Sequence, residues 1–368
     1  MRILLDYRPA LRQRTGIGEY VHELARAVVG GPDELVLFSA SWKDRLNPNV
    51  VPGAQVVDRR VPNQVLNYGW HRLGWPAIEQ LATGPFDVVH STHPLLIPSR
   101  SAAQVVTIAD LDFLDHPERT VREIRRDYAP LAKAHAERAD HVVTISESTA
   151  QDIHHRLGVP RERMTVCTPG APAWTRREQE PANGCVLFLG TLDARKNLDI
   201  LVDAYARLLN HVGHAPPLVL AGGHTNSSQA LMARASQGAL AGHVSFPGYV
   251  DDEARQALYR RAVIFVMPSH TEGFGMPVLE AMTVGVPVVV ADRGALREVA
   301  PPGVGRHFDP ASADQLGTIL ETLLADRSAR DQMREAGWRQ ATQFSWRTSA
   351  DRLRGAWQEA IAHKRSRG

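Results

Sequence analysis

The feature that most constrains this chain is a rhythm that stops once and restarts. Short β-branched runs alternate with amphipathic helical stretches from the first residues onward. Ile3-Leu4-Leu5 leads into a helix whose apolar face is Ile17, Val21, Leu24 and Val28, the i, i+4, i+7, i+11 stripe of one helical face. Further strands are predicted at Leu35–Phe38, Val88-Val89, Val105–Ile108, Val142–Ile145 and Val166-Cys167, with Ser146 as N-cap of a helix running to about Leu157. Thr168-Pro-Gly-Ala-Pro172 and the polar stretch Arg176–Asn183 then interrupt the pattern. It resumes with strands at Val186–Leu189, Leu218–Ala221, Val244-Ser-Phe246, Val263–Met267 and Val286–Val290, and with helices at Leu198–Leu209 and Glu253–Arg261. From about Ala313 to His363 the chain reads as helix. Repeated βαβ units imply parallel sheets covered by helices on both faces. The expected fold class is therefore α/β, with two doubly wound halves facing across a cleft and ligands at the carboxyl ends of the strands.

Composition agrees and excludes alternatives. A length of 368 residues suits about two domains, and 43% hydrophobic with 22% charged residues is ordinary for a globular chain. The net charge of +2 argues against a nucleic-acid coat, which would carry a strong basic excess. Two cysteines, Cys167 and Cys185, are too few for a disulfide framework and read as core residues. No run reaches the ~20 apolar residues of a membrane helix. The expected location is cytoplasmic, with a peripheral place at the inner membrane face left open. Only Lys43, Lys133, Lys196 and Lys364 are lysines, so each merits attention.

The most informative segment is Pro268-Ser-His-Thr-Glu-Gly-Phe-Gly-Met-Pro-Val-Leu-Glu280, between two apolar strands. Pro277 suits a first helical turn, where its missing N–H costs nothing. Gly273 and Gly275 permit close backbone approach, and the helix start favours a phosphate. Glu272 precedes the helix and Glu280 lies a turn inside it, so both carboxylates can face one crevice. Two carboxylates beside a phosphate cradle suit a sugar nucleotide, since each can accept hydrogen bonds from a diol. A glycine turn before an ordinary helix is the plainer reading.

A second segment, Leu189-Gly-Thr-Leu-Asp-Ala-Arg-Lys-Asn197, also follows a strand. Gly190 permits a tight turn. Arg195 and Lys196 stand before a helix start, where cations oppose the helix dipole. A diphosphate would resolve that conflict; a solvated charge pair is the alternative. A third segment, Arg14-Thr-Gly-Ile-Gly-Glu-Tyr20, fails the dinucleotide fingerprint because Val21 stands at the third glycine position, and it lacks a Walker ending. It is either a loop whose N–H groups reach a phosphate or a plain turn. Asp110-Leu-Asp112 spells a metal-binding D-x-D, but nothing nearby completes a ligand set, so chance is the expected reading. Arg119–Arg138 is a predicted helix with Arg119, Arg122, Arg125 and Arg126, and Asn67–Trp75 mixes aromatics with cations. Together these could meet an anionic lipid surface or a sugar. A solvated basic face with buried tryptophans is equally consistent.

These segments together resemble the retaining glycosyltransferases of family GT4, mannosyltransferase-like branch, with the GT-B fold. The resemblance spans nearly the whole chain: Thr15-Gly-Ile-Gly18, Gly190-Thr-Leu-Asp-Ala-Arg-Lys-Asn197, Gly248-Tyr-Val-Asp-Asp252, the E-x7-E pair Glu272 and Glu280, Gly285-Val-Pro-Val288 and Phe344-Ser-Trp346. It implies an acceptor-binding domain at 1–170, a nucleotide-sugar domain at 171–347, and a C-terminal helix, 348–368, packing back onto the first. It implies catalytic roles for Glu272, Arg195 and Lys196. Substrate contacts would fall to Glu280 (ribose hydroxyls), Gly273, Phe274, Gly275, Gly190, Gly16, Gly18 and Asp110. The expected reaction moves a hexose, with a pointer to mannose, from a nucleoside-diphosphate sugar to a glycan or lipid-linked acceptor. No metal or other cofactor is expected, and no nucleic acid. One departure stands out: after Val105–Ile108 the family commonly has His-Asp, and this chain has Ala109-Asp110. Either another group, such as His90, His93 or His116, substitutes, or the protein binds nucleotide sugars with weak or no transfer.

Overall fold

The computed structural model describes residues 1–367 apart from 12, 13, 15, 121, 226 and 227. Thr15 of the first glycine segment and Val121 of the basic helix candidate therefore lie outside the described residues. The chain divides into two compact units, one of residues 1–170 with 345–368, the other of residues 171–344.

The first unit is built on seven strands: β1 (Arg2–Asp6), β2 (Glu34–Ala40), β3 (Gln55–Arg59), β4 (Val88–Ser91), β5 (Ala103–Ile108), β6 (His141–Thr144) and β7 (Met164–Val166). Their order is β3-β2-β1-β4-β5-β6-β7, and every pairing is parallel. Leu4 sits between Val36 and Val89 in register, all three buried. Continuous apolar runs are what a parallel sheet covered on both faces demands. The helix Ile17–Val29 buries Tyr20, Val21, Leu24, Ala25 and Val28. The helix Glu147–Leu157 opens on Ser146, whose Oγ accepts the Thr149 N–H at 3.1 Å, and it closes on Gly158 in the left-handed region. The last helix, Trp346–Arg367, belongs to this unit, and the return begins at Ser345, a little earlier than expected. Trp357 is fully buried there, its Nε1–H donating to His90 Nδ1 at 3.2 Å.

The second unit has six parallel strands: β8 (Cys185–Leu189), β9 (Leu218–Ala221), β10 (Val244–Gly248), β11 (Ala262–Met267), β12 (Val288–Ala291) and β13 (Arg306–Phe308). Their order is β10-β9-β8-β11-β12-β13. In both sheets the strand order reverses beside the first strand, at β1/β4 and at β8/β11. Loops leaving the two strands of such a pair diverge to opposite faces and open a crevice at their carboxyl ends. Helices Leu198–Val212 and Met276–Val284 cross over from β8 and β11.

Two expectations need correction. The basic helix begins at Arg122 instead of Arg119, which lies in the separate turn Pro117–Arg119. Arg125 is spent on that turn, donating to the carbonyls of Pro117, Glu118 and Thr120. The aromatic segment divides: Trp70 is buried beneath the Arg8 guanidinium, whereas Tyr68, Leu73 and Trp75 are more than half exposed. Among the described residues, no helix is long and apolar enough to cross a membrane.

Candidate active site

In the second unit the two informative segments come together at the β8/β11 crevice. Leaving β8, the chain passes Gly190 and forms the short turn Ala194–Lys196, capped by Asp193. Leaving β11, it passes Pro268 to Gly275 and enters the helix Met276–Val284 with Pro277 in its first turn. The loops are stitched to each other. His270 N–H donates to Arg195 O at 2.9 Å, and Arg195 Nη1 donates to Thr271 O at 3.1 Å. Asn197 Nδ2 reaches Pro268 O at 3.2 Å and Pro310 O at 2.9 Å.

Lys196 Nζ donates to Glu272 Oε1 at 2.6 Å, and Arg195 Nη1 lies 3.7 Å from Oε2. The Lys196 and Glu272 side chains each keep only 8% of their surface. Burial by itself would raise the Glu272 pKa, but the charges of Lys196 and Arg195 outweigh it and hold the carboxyl below its ordinary range. The conflict between these cations and the helix dipole is thus already relieved by Glu272. An incoming diphosphate would share the cations with this carboxylate.

Glu280 faces Arg255 and Tyr259 from the helix Asp252–Arg261. Arg255 Nη1 lies 3.1 Å from Glu280 Oε1, and Tyr259 Oη–H donates to Oε2 at 2.8 Å. The Arg255 guanidinium stacks over the Trp174 ring at 5.2 Å. Burial and the neighbouring Glu280 charge push the Tyr259 hydroxyl well above its ordinary pKa, so it remains a donor. Arg255 and Tyr259 went unnoticed in the sequence. Their i, i+4 spacing on an amphipathic helix was the available signal.

The other expected site residues distribute unevenly. Gly275 caps the helix at φ +105°, and a Cβ there would stand 3.0 Å from Leu296 Cδ2, so the left-handed backbone and the packing both require glycine. Phe274 is 2% exposed, its ring packed edge-on against Phe344 at 5.4 Å, which leaves its backbone as the part that could meet a substrate. Gly273 is buried in the loop beside it. Gly190 follows β8, its N–H on Ala221 O at 2.9 Å. In the first unit Gly16 is exposed at the start of the helix Ile17–Val29. A Cβ on Gly18 would stand 2.6 Å from the Pro9 carbonyl oxygen, so close helix packing accounts for that glycine. Asp110 Oδ1 accepts the Asp112 N–H at 3.2 Å, a local turn. Among the described residues, no group of three or more His, Cys, Asp or Glu is placed to hold a metal ion.

The histidines near Ala109 are also distinguishable. His90 is fully buried, bonded to Thr107 at 2.8 Å and to Trp357, and burial lowers its pKa to about 3. His116 pairs with Glu118 at 3.2 Å. His93 is half-buried at the β1/β4 crevice, 3.3 Å from Asp6.

Comparison with known proteins meets this geometry from outside. Residues 174–340 match the family "Glycosyl transferases group 1", and residues 14–173 match "Glycosyltransferase Family 4". The chain is 29% identical to the O-antigen chain mannosyltransferase B of Escherichia coli, over 94% of this chain and 96% of that one. It is 30% identical to the D-inositol 3-phosphate glycosyltransferase of Acidothermus cellulolyticus, over 97% of this chain and 88% of that one. Among solved structures it is similar to a sucrose-phosphate synthase from Thermosynechococcus elongatus, with TM-score 0.80, 19% identity, and 98% and 99% of the two chains covered. It is also similar to Anabaena HepE, solved in complex with UDP and glucose, with TM-score 0.69, 19% identity, and 96% and 98% covered. These relatives are described as transferases or synthases, and the binding-only reading finds no support among them. With matches that together run from residue 14 to residue 340, the chain belongs to the group 1, family 4 glycosyltransferases and has their GT-B fold of two Rossmann-like domains.

Proposed function

We propose that this chain is a retaining hexosyltransferase, using a nucleoside-diphosphate sugar, with mannose as the first candidate, and a glycan or lipid-linked acceptor. The observation that carries the reading is the buried Lys196–Glu272 pair with Arg195 beside it at the β8/β11 crevice, and the Met276–Val284 helix start in the same loop. As the bond from the anomeric carbon to the diphosphate breaks, negative charge grows on the phosphate. Lys196, Arg195 and the positive end of the helix dipole meet that charge, in place of a metal ion. Glu272 lies beside the cations, where it positions the sugar and tolerates positive charge at the anomeric carbon. Glu280, held by Arg255 and Tyr259, accepts the ribose hydroxyls. The departing phosphate takes the acceptor's hydroxyl proton as the new bond forms on the same face. The acceptor falls to the first unit. Exposed Tyr68, Leu73 and Trp75 near Arg72 support contact with a lipid surface when the acceptor is lipid-linked.

The test begins with thermal shift of the full chain against GDP-mannose, UDP-glucose, GDP and UDP. A ligand at about 100 Kd adds about 2.7 kcal/mol of stability. Glu280→Gln and Lys196→Ala should each reduce turnover of the responding donor by orders of magnitude while the protein stays folded, and NMR of the product should show the donor's anomeric configuration. Near-normal turnover in both variants, or an inverted product, would sink the reading.

A further inference from the structure

The last helix, Trp346–Arg367, covers the sheet of the first unit through a narrow face: it buries Ser349, Ala350, Leu353, Ala356, Trp357 and Ala360. Only Leu353 and Trp357 among these are large and apolar, so the indole is the largest single part of what the helix buries. Its polar holds are long side chains reaching backbone carbonyls. Arg354 Nη2 donates to Val28 O at 2.8 Å, Lys364 Nζ to Ala102 O at 2.8 Å and Arg352 Nη1 to Val166 O at 3.3 Å. An element with so little apolar burial opens more readily than the sheet beneath it.

The indole meets the sheet at His90 on β4, and both side chains are fully buried. Trp357 Nε1–H donates to His90 Nδ1 at 3.2 Å, with the rings nearly perpendicular. An indole nitrogen can only donate, so Nδ1 is the accepting nitrogen and carries no proton. The proton of the neutral ring is then on Nε2, 2.8 Å from Thr107 Oγ1. Both nitrogens are thus committed. A second proton has to go to Nδ1, where it would point at the indole N–H: two donors facing each other with no acceptor between them. A docked helix and a protonated His90 therefore oppose each other.

The surroundings keep that opposition in force. Burial lowers the His90 pKa to about 3; Asp6 on β1 favours the proton and His141 on β6 opposes it. The Asp6 carboxylate is itself bound by Arg8 at 2.8 and 2.6 Å. β5 presents the uncharged Thr107. On the last helix Glu359 turns to His141, 3.4 Å from its Nε2. On the helix Ile17–Val29, packed against the last helix, His22 bonds to Tyr7 at 2.7 Å and Glu23 pairs with Arg26 at 2.8 Å. Opening the helix uncovers His90 and returns it toward its ordinary value of 6.5. The opened form then takes up a proton that the docked form refuses. Docking is fully stable above about pH 6.5, and each unit below that multiplies the opening equilibrium about tenfold.

We propose that His90 and Trp357 form an acid-sensitive latch: uptake of one proton at His90 releases the helix Trp346–Arg367 from the sheet of the first unit. The chain leaves this unit after residue 170 and re-enters it at residue 345. The released segment is therefore the one that anchors the returning chain.

The experiment follows hydrogen–deuterium exchange of the full chain by mass spectrometry at pH 7, 6 and 5, with each peptide's rate compared with that of unstructured chain at the same pH. His90 alone predicts about a 25-fold loss of protection over residues 350–363 between pH 7 and 5, reversed on return to pH 7. His141 lies against the same helix and adds its own share, so the decisive quantity is the part that a His90 substitution removes. His90→Asn puts an amide oxygen in place of Nδ1 and takes up no proton in this range; it should remove about 25-fold of the pH effect. Trp357→Phe removes the indole N–H and serves where His90→Asn does not fold; it should shrink the pH effect by at least about threefold. Peptides from β1 and β5 should keep their protection at a pH where the helix has lost its own. The proposal is overturned if the helix keeps its protection within about threefold from pH 7 to 5, or if helix and sheet lose protection in step. It is equally overturned if the pH effect survives unchanged in His90→Asn or, where that variant does not fold, in Trp357→Phe.

Discussion

Replacing Lys196 with Met tests how the second unit manages its buried charge. The variant removes the 2.6 Å partner of Glu272 and leaves Arg195 Nη1 at 3.7 Å from its Oε2. Breaking a buried pair from one side costs about 3–5 kcal/mol, because the remaining charge is left without compensation. The carboxyl has an escape, however, which is to take up a proton. Its ordinary pKa is 4.5, and neutralising it costs about 1.4 kcal/mol per pH unit above that, so the penalty is capped near 3.4 kcal/mol at pH 7 and near 0.7 at pH 5. In the native chain Glu272 titrates below its unfolded value, so its contribution is fully present above about pH 4.5 and is lost as pH falls through the folded value. The variant reverses that sign: its folded carboxyl titrates above the unfolded value, and its stability rises on acidification from pH 7 to 5. Urea denaturation at pH 5, 6 and 7, followed by a probe in the second unit, should show the deficit narrowing by up to about 2.7 kcal/mol. Adding Glu272→Met should recover most of it, giving a coupling above about 2 kcal/mol in the double-mutant cycle. A deficit that does not change with pH, or coupling under about 0.5 kcal/mol, would refute the reasoning.

Three other substitutions probe the scaffold by equilibrium denaturation. Gly275→Ala forces a side chain to φ +105° and 3.0 Å from Leu296 Cδ2, and should cost about 1–3 kcal/mol. Ser146→Ala removes the Oγ acceptor for the Thr149 N–H and should cost about 1 kcal/mol, with Ser146→Asp near neutral. Trp357→Ala empties a fully buried site on the returning helix and should cost about 3–5 kcal/mol, exposing His90 and making it easier to protonate as pH falls.

The strands that carry the architecture were legible because a two-sided sheet needs unbroken apolar runs such as Val186–Leu189 and Val263–Met267. Those missed are edge strands. In Gln55–Arg59 and Arg306–Phe308 polar residues interrupt the run, since an edge strand has one neighbour to satisfy and more solvent to face. The helix Asn63–Tyr68, continuing into a wider turn over Gly69–Leu73, has no apolar stripe to announce it. At the site, sequence drew attention to Lys196 and Glu272 separately. Their pairing depends on β8 lying beside β11, a fact of sheet order and not of local pattern. Gly18 and Gly275 read as room for a ligand, and the structure adds a local reason for each: a Cβ would meet the Pro9 carbonyl at Gly18, and the backbone is left-handed at Gly275.

The two crevices share a construction but differ in how it is assembled. Each places an acid and a base at the carboxyl ends of the strands where sheet order reverses: Asp6 with Arg8, and Glu272 with Lys196. Charges at such a point lose water to the diverging loops and must be paired, so the ion pairs are a condition of having a polar crevice there at all. Asp6 and Arg8 are two residues apart, and their contact lies within the turn after β1. Lys196 and Glu272 are 76 residues apart and meet only when β8 and β11 are adjacent. A local pair adds little chain-closure entropy. The distant pair reports on the assembled sheet, so weakening it should loosen the loops on both sides of the β8/β11 crevice together. That is why a substitution at Lys196 will not divide into a purely functional and a purely structural part. The cation proposed to receive the diphosphate is also the one that lets Glu272 stay charged and buried beside it.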